Sequence, residues 1–363
     1  VVTIAHVPAA VDEVLAKYFA SQRPTLDAIY PAVAEAGDVL ADFVLGGGKR
    51  VRPMFVCAGW QCGGTREGTD DPQTEELMLR VGAAIELIQA CALVHDDILD
   101  RSDTRRGRPT AHRRFEAVHR DRGFAGDPVH FGVSAAILIG DLALAWADDL
   151  VHGIGPADSC DARPLPRPVA TLWAQMRTEV LGGQLLDITN ESSADESLTA
   201  AYRVMEYKTA AYTVARPLQL GAVLGDADDA VSAALHGIGI DLGIAFQLRD
   251  DVLGVFGDPA ETGKPSGDDL VEGKRTALLA EGLQRASTRD AEKLRTSIGR
   301  PLSDAEVAAA RTVLSESGAL AAIETQIDDR LDAALTAIDA LPVTDGARTD
   351  LQWMAKRITH RQR

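Results

Sequence analysis

The chain has 363 residues, 46% of them hydrophobic and only 5% aromatic, and its 37 basic residues stand against 54 acidic ones for a net charge of −17. So acidic a balance argues against nucleic acid as a partner, because a polyanion needs a basic face. Four cysteines (Cys57, Cys62, Cys91, Cys160) show neither zinc-ligand spacing nor disulfide density, which predicts small core side chains in a reducing, cytoplasmic setting. No uninterrupted apolar run reaches the roughly 20 residues that span a bilayer. Val1-Val2-Thr3-Ile4-Ala5-His6 also lacks the basic start of a cleavable signal, so the expectation is a protein without a transmembrane segment.

Taken in chain order, the pattern is helical nearly throughout, with abundant Ala and Leu and no convincing alternating strand. Gly46-Gly47-Gly48 interrupts the first helical region, and the chain re-enters helix at Lys49-Arg50-Val51-Arg52-Pro53. A long helix is predicted from Asp71-Pro72, a cap followed by a first-turn proline, through Asp100. Another spans about Phe131 to Val151, and a proline-bearing loop covers Gly153 to Arg167. Further helices run from about Pro168 to Ile188, Asp195 to Leu224 and Asp229 to Val255. Gly257-Asp258-Pro259 ends the last of these, and a glycine-punctuated connection follows from Gly263 to Gly273. Ser303-Asp304-Ala305-Glu306 has capping-box spacing and opens one more helix. With no repeat, low-complexity tract or linker, residues 1–363 read as one all-α domain.

Two aspartate-rich segments carry the chemistry: Asp96-Asp97-Ile98-Leu99-Asp100, trailed by Arg105-Arg106-Gly107, and Gln247-Leu248-Arg249-Asp250-Asp251. Asp96 and Asp100 are i,i+4 neighbours, so on a helix their carboxylates share a face. Like charges grouped in an apolar setting need cations, and all-oxygen donors suit Mg²⁺, which keeps waters and binds through a few carboxylates plus substrate phosphates. The chain contains seven adjacent Asp-Asp pairs, and most, such as Asp70-Asp71 and Asp328-Asp329, read as caps or solvated faces. These two differ because each follows a long apolar run (Ile85 to Val94, Ile238 to Phe246) and has basic company. They predict a metal-diphosphate clamp built from two helices.

Other polar residues interrupt apolar helices in the same way. Lys49 and Arg52, beside a glycine loop at a helix entrance, suit a diphosphate but lack P-loop spacing. Gln184 and Asp187 lie one turn apart, Lys208 and Tyr212 share a face with Thr209 beside them, and Gln247 stands one turn before Asp250 and Asp251. Lys264 and Lys274 flank the late glycine-rich connection. Singly, each has an ordinary explanation as a solvated turn or a satisfied helix contact.

As an ordered set, the segments resemble the trans-isoprenyl diphosphate synthase family, over about residues 25 to 360 and most closely its bacterial geranylgeranyl diphosphate synthases. The resemblance implies a single helical bundle around a central cavity. It further implies head-to-tail condensation of isopentenyl diphosphate with an allylic diphosphate, several Mg²⁺ ions per site, and a homodimer. Asp96, Asp97 and Asp100 match the first aspartate motif, DDxxD, and Asp250 and Asp251 match the second. Arg105, Lys208 and Lys264 would contact the allylic diphosphate, while Lys49, Arg52, Gln89 and Arg106 would hold isopentenyl diphosphate. Thr209, Gln247 and Tyr212 would line the reacting carbon, and Lys274 matches a lysine near the closing loop. One position departs: the fifth residue of the second motif is Gly254, where the family often has aspartate, so metal binding there should rest on Asp250.

Product length is expected to depend on the helix upstream of Asp96. Cys91 and Ala92, five and four positions before it, are small where fifteen-carbon enzymes of the family usually carry an aromatic side chain. With Leu87 and Ile88 as the floor one turn deeper, a twenty-carbon product, geranylgeranyl diphosphate, is expected over farnesyl or longer products. A class I terpene cyclase would lack the second anion site and would carry a different metal motif. A noncatalytic synthase subunit would commonly have lost aspartates of the first motif.

Overall fold

The computed structural model describes residues 2–63, 72–155, 163–258 and 267–359. Asp70, Asp71, Cys160, Pro259, Gly263 and Lys264 therefore lie outside the described residues. The chain folds as two compact units, Val1–Ala170 with Val223–Asp226, and Thr171–Ala222 with Ala227–Arg363.

In the first unit the helices are α1 (Val7–Ile29), α2 (Pro31–Leu45), α3 (Val51–Gln61), α4 (Pro72–Leu99), α5 (Ala111–Asp121) and α6 (Pro128–Val151). The middle of α4 is buried on nearly all sides, because α1, α3 and α6 pack around it. Small residues permit that closeness. A Cβ on Gly140 of α6 would lie 2.3 Å from His95 Nε2, so the glycine admits the imidazole of α4. Val94, Ala111, Phe115, Ala136 and Ile139 form a local apolar cluster beside it. Asp127 caps α6 by accepting from Val129 N–H, with Pro128 in the first turn.

The acidic end of α4 runs into a feature that the helical pattern did not reveal. Thr104–Arg105 and Arg108–Pro109 form a two-rung antiparallel hairpin (β1 and β2). Its turn residues, Arg106 and Gly107, have φ of 53° and 71°, the sign that a type I′ connection demands at both positions. Glycine meets this at no cost. Arg106 does not, and it sits at the hairpin tip in a backbone conformation uncommon for a side-chain-bearing residue.

The second unit begins within α7 (Arg167–Ser193) and continues through α8 (Leu198–Val204), a π-helical segment (Met205–Ala215), α9 (Arg216–Leu224) as far as Ala222, and α10 (Asp229–Phe256). A short α11 (Asp268–Glu272) and α12 (Ala277–Arg285) follow, then α13 (Thr288–Thr296), α14 (Asp304–Glu316), α15 (Ala319–Asp339) and α16 (Asp345–Thr359). The capping box appears as expected, with Ser303 and Glu306 bonding reciprocally at the start of α14. Helix α10 is the axis of this unit, packed along the π segment and α15. A Cβ on Gly239 or on Gly243 would fall 2.4 Å from the Cα of Ala215 or Ala210, so glycine is what lets the two backbones meet.

The single helix expected from Asp195 to Leu224 is instead α8, the π segment and α9. Pro217 explains the change of register. It has no N–H to offer and its ring crowds the carbonyl four residues back, and just before it Arg216 N–H reaches five residues back to Ala211 O. The membrane expectation also needs amending. By length and composition, α4, α6 and α10 are each long and apolar enough to cross a bilayer. For α4 most of that surface is used internally, with 78% of its apolar window buried, whereas for α6 the share is 33%.

Candidate active site

At the end of α4 the three aspartates of the first motif separate by burial. Asp96 and Asp100 are half-buried and one turn apart, whereas Asp97 is 0% exposed. Arg105, delivered by β1, brings Nε to 2.8 Å and Nη2 to 2.7 Å from Asp97 Oδ1, with Nη2 3.9 Å from Asp96 Oδ2. Asp97 Oδ2 is buried without a hydrogen-bond partner. Burial pushes the Asp97 carboxyl up, Arg105 pulls it back, and Asp96 and Asp100 push it up further. Burial likewise works against the charge of Arg105, yet the three aspartates hold its pKa above the usual value.

Arg106 points the other way, donating through Nη1 to Gly47 O of the glycine loop. Its pKa is lowered, first by partial burial and then by Arg105, with Arg50 contributing and Glu86 opposing. Cations crowd here, because a Cβ on Gly48 would be 3.5 Å from Arg50 Nη1 and 3.7 Å from Arg106 Nη2. Such a cluster is stabilised by an incoming anion. Lys49 is exposed beside it, while Arg52 and Gln89 are half-buried.

Arg50 itself is a residue that motif reasoning passed over. It is 5% exposed, has a left-handed backbone at φ 46°, and caps α3. Its guanidinium reaches Glu86 at 2.8 Å, Asp12 at 2.8 Å and Val44 O at 2.6 Å. These bonds fix the loop from below, leaving Lys49 on the outside. Upstream on α4, Leu87, Ile88 and Cys91 are buried and Ala92 is half-buried. Burial pushes the Cys91 thiol up to about 12, and its Sγ lies 3.7 Å from His95 Nδ1, so it is a small, buried and unreactive side chain.

In the second unit the π segment carries Lys208, Thr209 and Tyr212. Gly183 of α7 allows this, since a Cβ there would sit 2.3 Å from Lys208 N. Lys208 Nζ is 2.6 Å from Asp187 Oδ2 of the same helix α7. Tyr212 is fully buried. A relay crosses to α10, with Thr209 Oγ donating to Gln247 Oε1 at 2.8 Å and Gln247 Nε2 donating to Asp251 Oδ1 at 2.9 Å. Asp250 is half-buried, whereas Asp251 is 4% exposed and its Oδ2 has no hydrogen-bond partner. Burial first and Asp269 second push Asp251 up to about 8, against the pull of Gln247, the Ala277 N–H and Lys274. Lys274 pairs with Glu272 at 2.6 Å and lies 3.9 Å from Asp269.

Among the described residues, no three of His, Cys, Asp and Glu converge as a closed metal cage. The donor set is instead pairs of carboxylates with half-buried members, which fits a hard cation that completes its shell with waters and substrate phosphates.

Comparison with known proteins agrees with this arrangement. The sequence pattern of the polyprenyl synthetase family matches residues 34–314. A solved geranylgeranyl pyrophosphate synthase from Corynebacterium glutamicum, complexed with isoprenyl diphosphate and magnesium, is 44% identical at a TM-score of 0.91, over 99% of this chain and 100% of that one. Geranylgeranyl diphosphate synthase of Mycobacterium tuberculosis is 35% identical over 294 residues, covering 80% of this chain and 75% of the relative. Geranylfarnesyl diphosphate synthase of Natronomonas pharaonis is 31% identical, covering 87% of this chain and 86% of the relative. The chain belongs to the polyprenyl synthetase family: it is an all-α trans-prenyl diphosphate synthase, a prenyltransferase of isoprenoid biosynthesis that works on isoprenoid diphosphates.

Proposed function

We propose that this protein is a magnesium-dependent, cytoplasmic homodimer that condenses isopentenyl diphosphate with allylic diphosphates and releases geranylgeranyl diphosphate. The observation that carries the product length is the pair of small side chains, Cys91 and Ala92, at the positions five and four before Asp96, with bulkier Leu87 and Ile88 beyond them. The names of the Corynebacterium and Mycobacterium proteins support the same length. A twenty-five-carbon product is the second reading, favoured by the Natronomonas relative.

Roles follow from the chemistry of each group. Asp96, Asp100 and Asp250 would hold magnesium, with Asp97 and Asp251 behind them. Bound magnesium neutralises the allylic diphosphate and stabilises it as a leaving group. Arg105, anchored by Asp97, and Lys208, steadied by Asp187, contact that diphosphate together with Lys264 and Lys274. Lys49, Arg52, Gln89 and Arg106 hold isopentenyl diphosphate, drawn by the like-charge crowding around Gly48. Thr209 donates its hydroxyl hydrogen bond to Gln247 Oε1 and so presents oxygen lone pairs to the allylic carbon as positive charge develops, with Tyr212 beside it. The double bond of isopentenyl diphosphate attacks that carbon, and the released diphosphate takes the proton whose loss restores the alkene.

Homodimerisation is supported by α6, which leaves Leu138 67% exposed on an apolar helix; sedimentation equilibrium reads the mass directly. The deciding experiment incubates the protein with Mg²⁺, isopentenyl diphosphate and each allylic primer, followed by product chromatography. A twenty-carbon diphosphate is expected. Cyclic hydrocarbon, or no incorporation with any primer, would sink the assignment.

A further inference from the structure

Three glycines lie just upstream of α3, yet the left-handed residue at its entrance is Arg50, at φ 46°. That conformation crowds a Cβ and is one glycine adopts freely, so some other contribution has to offset the strain. The neighbours show what the turn achieves. Lys49 is exposed and Arg52 is half-buried, whereas Arg50 between them is buried and turned into the first unit. Every nitrogen of its guanidinium is engaged there. Nε donates to Asp12 Oδ1 at 2.8 Å, Nη1 to Glu86 Oε2 at 2.8 Å and Nη2 to Val44 O at 2.6 Å. The three partners belong to α1, α4 and α2. Glu86 stands three residues before Gln89, so this bond ties the glycine loop to the turn of α4 that carries Gln89.

Asp12 is the member that local motifs give no reason to expect. It precedes residues 34–314, which match the family pattern, and its side chain is 46% exposed. A carboxylate so open to water gains little from an ordinary surface pairing. Here it meets a guanidinium that is otherwise sealed, with Nη2 also 2.7 Å from the same oxygen.

We propose that Arg50 is a positioning residue for the isopentenyl diphosphate site, and that Asp12 of α1 acts on that site through it. By binding three helices at once, the guanidinium sets where Lys49 and Arg52 stand relative to Gln89 and Arg106, without itself touching the substrate. This inference rests on the assignment of those four residues to isopentenyl diphosphate above.

Arg50→Lys keeps the charge but loses the planar fork, and Asp12→Ala removes the outermost partner. Steady-state kinetics on the full chain should then separate the two substrates. The KM for isopentenyl diphosphate should rise about tenfold in Arg50→Lys, within the roughly 10²-fold that a misplacement of ~1 Å can cost. In Asp12→Ala it should rise about threefold, the scale of one partly exposed ion pair. The KM for the allylic diphosphate and kcat should stay within about twofold of wild type in both. The double variant should fall short of the product of the two effects, because both act through one guanidinium. Circular dichroism melts record stability in parallel, and Asp12→Ala carries the test by itself if Arg50→Lys does not fold. Lost stability with both KM values shifted equally, or with neither shifted, overturns the inference, as does a fully multiplicative double variant. Lys49→Ala is the control on the underlying assignment. If it too leaves the KM for isopentenyl diphosphate unchanged, that assignment fails and this inference falls with it. If only the Arg50 and Asp12 variants leave it unchanged, the inference alone fails.

Discussion

In α4 the buried member of the aspartate pair meets a guanidinium; in α10 it meets an amide. Asp97 is sealed from solvent and shares Oδ1 with two nitrogens of Arg105, so its charge is compensated within the first unit. Asp251 is equally sealed, but its hydrogen-bonded partners are Gln247 and the Ala277 N–H, and the acid Asp269 adds a like charge. The same two-letter motif therefore builds two different supports. The first is an ion pair that aims an arginine. The second is a relay that orients Thr209 through Gln247. In both, the half-buried first aspartate, Asp96 or Asp250, is left as the one suited to a hydrated cation.

Under the proposed magnesium dependence, chelation should have the largest effect on both supports. Excess chelator should abolish turnover, and Asp100→Ala should lower kcat by about 10²–10³, the scale of losing one charge-stabilising contact. Steady-state assays over Mg²⁺ concentration check both, and undiminished rates in chelator would end the metal account of either segment. Next in size, Arg105→Ala strands the Asp97 carboxylate and should cost about 3–5 kcal/mol of stability in denaturant unfolding. Asp97→Asn should cost less, because it removes the buried charge while the amide oxygen still accepts from Arg105.

The second support should instead respond to pH. The Asp251 carboxyl stands at about 8 when folded, above its ordinary value of roughly 4 in an unfolded chain. The folded state therefore binds more protons between those values, and stability falls as pH rises from about 4 to about 8, then levels off. Metal-free Asp251→Asn should lack that decline, as thermal melts across the range would record. Parallel pH curves for the two proteins would refute the neutral-acid picture. The smallest effect is expected upstream, where Ala92→Phe should shift products toward fifteen carbons while turnover persists. An unchanged distribution on chromatography would remove Ala92 from the wall.

Much of this was legible early because it is local. The long helices keep their expected bounds to within a few residues, and Ser303 with Glu306 forms the capping box its spacing implied. The π segment was not legible, since Pro217 only hints at a register change that close packing of α10 against Ala210 and Ala215 accompanies. Arg50 stood inside a recognised basic stretch, but its role depends on Asp12 and Glu86, both distant in sequence. The turn at Arg106, ended by Gly107, was legible from the glycine, but the hairpin around it was not: two-residue strands carry no periodicity to detect.

By itself the amino-acid order determined the helical class, the pairing of Asp96 with Asp100 on one turn, and the ordered set of acids and cations that marks a diphosphate chemistry. Those follow from a fixed rise and rotation per residue, which act over four positions. Tertiary structure alone decided which aspartate of each pair is buried, what each buried one binds, and that Asp269 fills the space over Gly254. Burial and partnership depend on neighbours brought from far along the chain, and no local spacing encodes them.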